Sequence, residues 1–314
     1  MPLDLPTPDH PFRIGTRGSP LALAQAHETR ARLAAAFGLR EDAFEIVVIK
    51  TTGDRVQDRP LKEIGGKGLF TKEIEEALLA SEIDVAVHSS KDMPTVQPDG
   101  LLLDGFLPRE DARDAFVTMD GRGLRDMAEG AVVGTSSMRR RAQLAHRRPD
   151  LRVVEFRGNL QTRMAKLRDG VADATFLAMA GLLRLGMDDV PRVPVEADDV
   201  LPALAQGAIG LERRAGDDRA AGMVAAIHDV ATGVRVTCER AFLAVLDGSC
   251  ETPIAGLAAL DGDRLRFRGE VLRPDGSGVI DVAVEGAASD AAALGAGAGH
   301  DLLARAPEGF FDWR

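Results

Sequence analysis

The stretch AVVGTSSMRR, residues 131–140, decides the fold class of this chain. Its apolar start predicts a short strand over residues 131–134, and the hydroxyl residues that follow predict a helix from about Ser137. Strands that alternate with helices are typical of βαβ units, so this region is predicted to be an α/β domain with a largely parallel sheet. The same alternation follows twice more: a strand over residues 151–156 with a helix from about Asn159, and a strand over residues 175–178 with a helix over residues 180–185.

A second α/β domain is predicted at the N-terminal side. Ser19 and Pro20 supply an N-cap and a first-turn proline for a helix that ends near Phe37. The strand-like run over residues 202–211 is expected to return to this domain, which would create a hinged cleft with ligands at the carboxyl ends of strands. The other predicted elements are strands over residues 13–15, 44–51 and 83–88 and a helix over residues 71–80.

The last part of the chain predicts a small α+β domain. A helix precedes residues 247–253, and strands are predicted over residues 255–260, 264–272 and 278–284. A closing helix over residues 290–304 contains three glycines, which weaken that prediction. The predicted division is domain 1, residues 11–107 with 202–228; domain 2, residues 108–201; and domain 3, residues 229–314.

Composition excludes several classes of function. The net charge of −10 disfavours nucleic acid or an anionic membrane surface as a main partner. Cys-x-x-Cys is absent and the six histidines are scattered, so no metal site is expected. The N-terminal residues do not resemble a signal peptide, and no run of 18 apolar residues occurs, so a cytoplasmic location is expected.

The two cysteines lie in different settings. Cys238 shares a helical apolar spacing with Val234 and Phe242, which predicts a core residue. Cys250 lies among Gly248, Ser249 and Pro253, which predicts a loop that presents the thiol. These residues alone leave open whether Cys250 is idle or reactive.

Arginines follow several predicted strand ends, where helix N-termini favour anions. Arginine grips planar carboxylates in bidentate fashion, so the pattern indicates a polyanionic ligand. The junctions are residues 16–19 with Arg17, residues 134–140 with Arg139 and Arg140, residues 157–159 with Arg157 and nearby Arg163, and the region of Arg184.

Two other motifs carry residues with possible chemical roles. The run Gly-Gly-Lys-Gly at residues 65–68 lacks the spacing and the Ser or Thr of a nucleotide-binding P-loop. The loop over residues 88–94 carries Lys91 beside Asp92, a carboxylate suited to acid–base work or to stabilising a cation. His88 in the same loop also suggests a Cys–His nucleophilic enzyme with Cys250, although no family signature for such a pair is present.

Seven motifs together resemble the porphobilinogen deaminase (hydroxymethylbilane synthase) family, in that family's order: residues 17–22, 64–70, 88–94, 134–140, 157–159, 201–207 and 248–254. The resemblance implies a transferase of tetrapyrrole and heme synthesis that joins four porphobilinogen molecules with loss of ammonia and releases a linear tetrapyrrole by hydrolysis. It also implies two type II periplasmic-binding-protein-like α/β domains around a cleft and a small C-terminal α+β domain. Cys250 would hold a dipyrromethane cofactor through a thioether, so it would be a tether rather than an attacking nucleophile.

The resemblance also assigns roles to individual residues. Asp92 matches the catalytic aspartate, which is expected to assist loss of ammonia and to stabilise the azafulvene-like cation. The expected cofactor-binding residues are Cys250, Ser19, Lys67, Lys91, Asp92, Thr135, Ser137, Arg139, Arg140, Arg157, Arg163 and Arg184. The expected substrate-binding residues are Arg17, Ser19, Phe70, Arg157, Arg163 and Arg184. Glu63 and Leu183 replace lysines of some relatives.

A monomer that acts on the small molecule porphobilinogen, with no nucleic-acid or membrane partner, is expected. The rival hypothesis is a non-catalytic anion-binding module, because the same two-domain fold also serves solute binding.

Overall fold

The structure, a computed structural model, describes residues 3–55, 71–158, 160–248 and 252–313. The chain divides into two compact units: residues 1–109 with 208–233, and residues 110–207 with 234–314. The strands are β1 Phe12–Arg17, β2 Phe44–Ile49, β3 Val85–Ser89, β4 Leu101–Phe106, β5 Asp114–Thr118, β6 Val132–Gly134, β7 Arg152–Val154, β8 Ala174–Ala178, β9 Arg192–Pro194, β10 Ile209–Arg214, β11 Ile254–Asp261, β12 Arg264–Leu272 and β13 Val279–Ala287. The helices are α1 Pro20–Phe37, α2 Thr52–Arg55, α3 Lys72–Leu79, α4 Met138–Arg147, α5 Leu160–Arg168, α6 Met179–Arg184, α7 Asp218–Ile227, α8 Val230–Val245 and α9 Ala291–Arg305.

The described strands of the first unit form a five-stranded sheet in the order β2-β1-β3-β10-β4. Strands β1, β2 and β3 are parallel, and β10 lies antiparallel between β3 and β4. Helix α1 begins as expected, because the Ser19 side chain accepts a hydrogen bond from the Ala22 backbone N–H and Pro20 is its first residue. The helix ends at Gly38, which has a φ of 63° that favours glycine.

The second unit contains a sheet of the same design. Its described order is β7-β6-β8-β5-β9, in which β6, β7 and β8 are parallel and β5 is antiparallel to both of its neighbours. The fourth strand in each of these orders is β10 in the first sheet and β5 in the second. Each is the first strand that the chain forms after it has crossed from the other unit. Phe116 and Phe176 pack edge to face in the core, with ring centroids 5.0 Å apart.

The C-terminal part of the second unit is the antiparallel sheet β11-β12-β13 with helices α8 and α9. Its core contains Cys238, Phe242 and Phe267. Arg147 on α4 forms an ion pair with Glu270 on β12, so this sheet is joined to the arginine-rich helix of the same unit. The predicted α/β fold, with two sheet domains and a small C-terminal α+β domain, is confirmed; the exact three-domain boundaries stay a prediction.

Three strands were not predicted, and one predicted strand begins late. β4, β5 and β9 were missed, while the strand predicted over residues 202–211 begins only at Ile209. The segment before it is a turn that includes Ala205 at a φ of 58°, and the Ala205 N–H donates to the buried Glu239 carboxylate at 2.5 Å. A tertiary hydrogen bond thus overrides the strand tendency of the local sequence. No helix of the described residues is long and apolar enough to cross a membrane.

Candidate functional site

The first unit contains a small pocket at the carboxyl ends of β1 and β3. We call it the Asp92 pocket; its volume is about 90 Å³. Arg17 ends β1 and Ser89 ends β3, so two parallel strands deliver polar side chains to one edge of the sheet. The lining residues are Arg17, Ser19, Leu21, Ala22, Gln25, Thr71, Val87, His88, Ser89, Asp92 and Met93.

Asp92 lies in a short 3-10 turn, Ser90–Asp92, whose backbone is fixed on both sides. The Ser90 N–H donates to the Ala208 carbonyl at 3.0 Å, and Met93, which is 4% exposed, anchors the end of the turn. Before the turn, the Ser89 hydroxyl and the Gln25 amide are hydrogen-bonded at 2.9 Å. Asp92 itself is exposed at the pocket wall.

His88, the residue suggested as a base, has a partner inside the sheet. Its Nε2 lies 3.1 Å from Oε2 of Glu212, and both side chains are buried. Glu75 on α3 belongs to the same buried group, and burial raises the pKa of its carboxyl. Sequence reasoning missed Glu212 and Glu75; the only signal for Glu212 was a carboxylate within a buried strand pattern.

The second unit gathers its arginines around one carboxylate. Asp114, the first residue of β5, is fully buried and accepts hydrogen bonds from Arg139 at 2.8 Å and from Arg140 at 2.7 and 3.2 Å. Burial alone would raise the pKa of Asp114, but the two guanidinium groups hold it well below its usual value. We call Asp114, Arg139, Arg140 and Arg163 the arginine cluster.

Arg163 joins this cluster through a shared acceptor. Its Nη1 donates to the Phe176 carbonyl at 3.3 Å, the same oxygen that receives a hydrogen bond from Arg140 at 3.2 Å. Burial, together with repulsion by Arg140, lowers the pKa of Arg163 to about 10. The Arg140 guanidinium also lies 5.5 Å from the Phe176 ring centroid, a cation–π arrangement.

The two remaining predicted arginines lie outside the cluster. Arg157 is exposed and forms an ion pair with Glu155 at 2.8 Å. Arg184, in the last turn of α6, donates to the Gly207 carbonyl at 2.9 Å.

The predicted hydroxyl residues form the entrance to α4. Ser137 is its N-cap and accepts a hydrogen bond from the Arg140 backbone N–H. Thr135 accepts one from the Ser137 backbone N–H at 3.2 Å. In both bonds the hydroxyl oxygen is the acceptor. The bonds fix the first turn of α4 and so set the direction in which the side chains of Arg139 and Arg140 extend from it. Sequence reasoning placed this junction correctly but missed Asp114, which precedes it by more than twenty residues.

Cys250, Lys67, Phe70 and Glu63 lie outside the described residues. Cys238 is a buried free cysteine, as predicted, and burial raises the pKa of its thiol to about 12. Within the described ranges, no group of His, Cys, Asp and Glu side chains could hold a metal ion.

Comparisons with known proteins address the chain as a whole. The model of the porphobilinogen deaminase dipyromethane cofactor binding domain matches residues 12–222, and that of the porphobilinogen deaminase C-terminal domain matches residues 234–304. A porphobilinogen deaminase of Paracoccus denitrificans is 68% identical over 309 residues, covering 98% of this chain and 99% of the relative. One of Nitrobacter winogradskyi is 56% identical over 298 residues, covering 95% of this chain and 94% of the relative.

Solved structures give weaker likenesses. A periplasmic binding protein of Salmonella typhimurium with high arginine specificity has a TM-score of 0.37 at 13% identity, covering 69% of this chain and 91% of that protein. The GluR0 ligand-binding core of Nostoc punctiforme, in complex with L-glutamate, has a TM-score of 0.36 at 14% identity, covering 69% and 91%. The two family models together span most of the chain, and two relatives match it nearly end to end. The chain therefore belongs to the porphobilinogen deaminase family.

Proposed function

We propose that the chain joins four porphobilinogen molecules head to tail, with loss of ammonia, and releases the linear tetrapyrrole hydroxymethylbilane by hydrolysis. The observation that carries the proposal is the concentration of guanidinium groups around one carboxylate in a chain of net charge −10. Each porphobilinogen ring brings an acetate and a propionate, so the growing product is a polyanion. A surplus of buried positive charge is what such a ligand requires.

The described residues fit a dipyrromethane cofactor, whose two rings carry four carboxylates. The arginine cluster contains three guanidinium groups and a single carboxylate, so positive charge is left for the cofactor. When bound, the cofactor supplies the pyrrole carbon that receives the first substrate. We propose that Cys250 holds it through a thioether, and that its carboxylates and rings are bound by Ser19, Lys67, Lys91, Asp92, Thr135, Ser137, Arg139, Arg140, Arg157, Arg163 and Arg184.

Substrate binding is assigned to Arg17, Ser19, Phe70, Arg157, Arg163 and Arg184. Arg17 and Ser19 line the same pocket as Asp92, so a carboxylate of the substrate held by Arg17 would bring its pyrrole towards the Asp92 carboxylate. Each addition breaks the aminomethyl C–N bond, forms a C–C bond, and displaces a hydrogen that leaves as a proton. The departing ammonia takes up this proton as ammonium.

Asp92 has the catalytic role in this proposal. When the C–N bond breaks, the substrate becomes a cation delocalised over the pyrrole ring. The Asp92 carboxylate, fixed at the end of a hydrogen-bonded turn, stabilises that cation without having to reorient.

We propose that the protein acts as a monomer in the cytoplasm on a small-molecule substrate, without a nucleic-acid or membrane partner. The acidic composition supports the exclusion of anionic partners.

Intact-mass spectrometry and an ammonia assay test the proposed function. The purified protein should be heavier than its sequence by one dipyrromethane, and incubation with porphobilinogen should release four ammonia molecules per tetrapyrrole. Cys250→Ala should remove the added mass, whereas the matched change Cys238→Ala should keep it. Binding of porphobilinogen without release of ammonia would favour the rival, a non-catalytic anion-binding module.

A further inference from the structure

Asp114 is the only acidic residue of the arginine cluster. The three arginines of the cluster have predicted binding roles, whereas Asp114 has none. Its carboxylate is fully buried and accepts four side-chain hydrogen bonds. Three come from Arg139 and Arg140, and the fourth comes from the Gln206 amide at 2.9 Å. Gln206 is itself fixed, since its amide also donates to the Ala112 carbonyl at 2.8 Å.

These bonds determine the direction of both arginine side chains. Arg140 meets Asp114 with Nε and Nη2, and its Nη1 reaches the Phe176 carbonyl. Arg139 uses Nη2 for Asp114 and Nη1 for the Leu201 carbonyl at 2.7 Å. A guanidinium held at two ends has little rotational freedom left, so its remaining N–H groups point in fixed directions.

Asp114 does not neutralise the cluster. One carboxylate stands against the guanidinium groups of Arg139, Arg140 and Arg163, so the cluster retains a net positive charge. Without Asp114, the two neighbouring guanidinium groups of Arg139 and Arg140 would repel each other in a buried setting. The Asp114 carboxylate therefore allows Arg139 and Arg140 to lie side by side. The net positive charge that remains on the cluster can attract an anionic ligand.

We propose that Asp114 is the positioning residue of the arginine cluster: its buried carboxylate fixes Arg139 and Arg140 in the geometry that holds the carboxylates of the cofactor. The inference rests on the proposed cofactor-binding role of those two arginines. Asp114 acts through them and does not itself touch the ligand.

The test is the fraction of purified protein that carries the dipyrromethane mass. Asp114→Asn keeps the shape but removes the charge, and we expect at least a fivefold lower fraction than in the unchanged protein. The matched control is Asp150→Asn, because Asp150 also forms a bidentate pair, with Arg148 at 2.7 and 2.8 Å, elsewhere in the same unit. The control should carry the cofactor fully; equal loading of Asp114→Asn and Asp150→Asn would overturn the inference.

Two more variants keep the outcome interpretable. If circular dichroism shows that Asp114→Asn does not fold, the test passes to Gln206→Met, which removes one donor to Asp114; we expect at least a twofold lower fraction, and unchanged loading would overturn the inference. Arg140→Gln tests the underlying function. If Arg140→Gln loses the cofactor and Asp114→Asn carries it fully, only the role of Asp114 is refuted. If both variants carry the cofactor fully, the binding role of Arg140 is refuted as well.

Discussion

A Cβ atom on Gly295 would overlap the backbone carbonyl oxygen of Cys238, so helices α9 and α8 approach as closely as their backbones allow. One turn further along α9, a Cβ on Gly299 would lie 2.8 Å from the Cβ of Val245. Two of the glycines that weaken the helix prediction are therefore required by the packing of that helix.

Gly295→Ala should destabilise the protein, because the overlapping atom is backbone and the two helices must separate. We expect a loss of about 2–3 kcal/mol in the free energy of unfolding. Gly297→Ala is the matched control, since a Cβ there meets no atom within 4 Å. It should stabilise the helix by up to about 1 kcal/mol. Urea denaturation measures both, and equal midpoints for the two variants would contradict the packing argument.

Ala205→Gly should stabilise the protein. Ala205 has a φ of 58°, which strains a residue with a Cβ, and it is held there by the bond from its N–H to Glu239. Relief of this strain, less the greater flexibility of glycine in the unfolded chain, gives an expected gain of about 0.5–1 kcal/mol. The control Ala203→Gly adds the same flexibility at a residue without a positive φ and should lower the denaturation midpoint. A lower midpoint for Ala205→Gly would argue against strain at this turn.

Asp92→Asn should keep the cofactor mass and lose at least about 100-fold in kcat, because the amide removes the charge that stabilises the cation. KM should change much less, since the hydrogen-bonded turn that carries residue 92 is retained. Steady-state release of ammonia provides both constants. Asp99→Asn changes an exposed aspartate close by in the chain and should leave kcat unaltered. Turnover near normal in Asp92→Asn would remove Asp92 from the chemical step.

The buried thiol of Cys238 predicts a loss of stability at alkaline pH. Its pKa is raised to about 12 in the folded protein, against roughly 8.5 in an unfolded chain. Between these values the unfolded state binds fewer protons, so stability is fully present below about pH 8.5 and falls as the pH rises towards 12. The slope from this thiol is at most about 1.4 kcal/mol per pH unit. Urea midpoints at pH 8 and pH 10 should differ less in Cys238→Ala; an identical difference would show that another group dominates.

Local signals account for the parts of the fold that the sequence predicted. The N-cap Ser19 with Pro20, and the strand-to-helix junction before Arg139, depend on neighbouring residues and were found where expected. β4 was missed because Asp104 and Gly105 interrupt its apolar pattern; Gly105 is needed there since a Cβ would overlap Val224 of α7. The requirement for glycine at residue 105 comes from a helix that is distant in the chain, so the residues around Gly105 do not indicate it.

The residues of the candidate site likewise fall into those that the sequence identified and those that it missed. Its arginines and Asp92 were identified because they stand in short motifs, whereas Asp114 and Glu212 were missed because their partners lie far away in the chain. Asp114 precedes Arg139 by 25 residues, and Glu212 follows His88 by 124. Buried carboxylates that orient other side chains are visible only once the sheets have been assembled.

The position of β10 between β3 and β4 affects how this protein is made on the ribosome. β3 and β4 precede β10 by about a hundred residues, so at roughly 5–20 residues per second both wait for about 5–20 s with unpaired edges. During that interval the nascent first unit presents apolar strand edges of the kind that associate with other chains. Slow synthesis of the second unit would prolong this exposure until β10 completes the sheet.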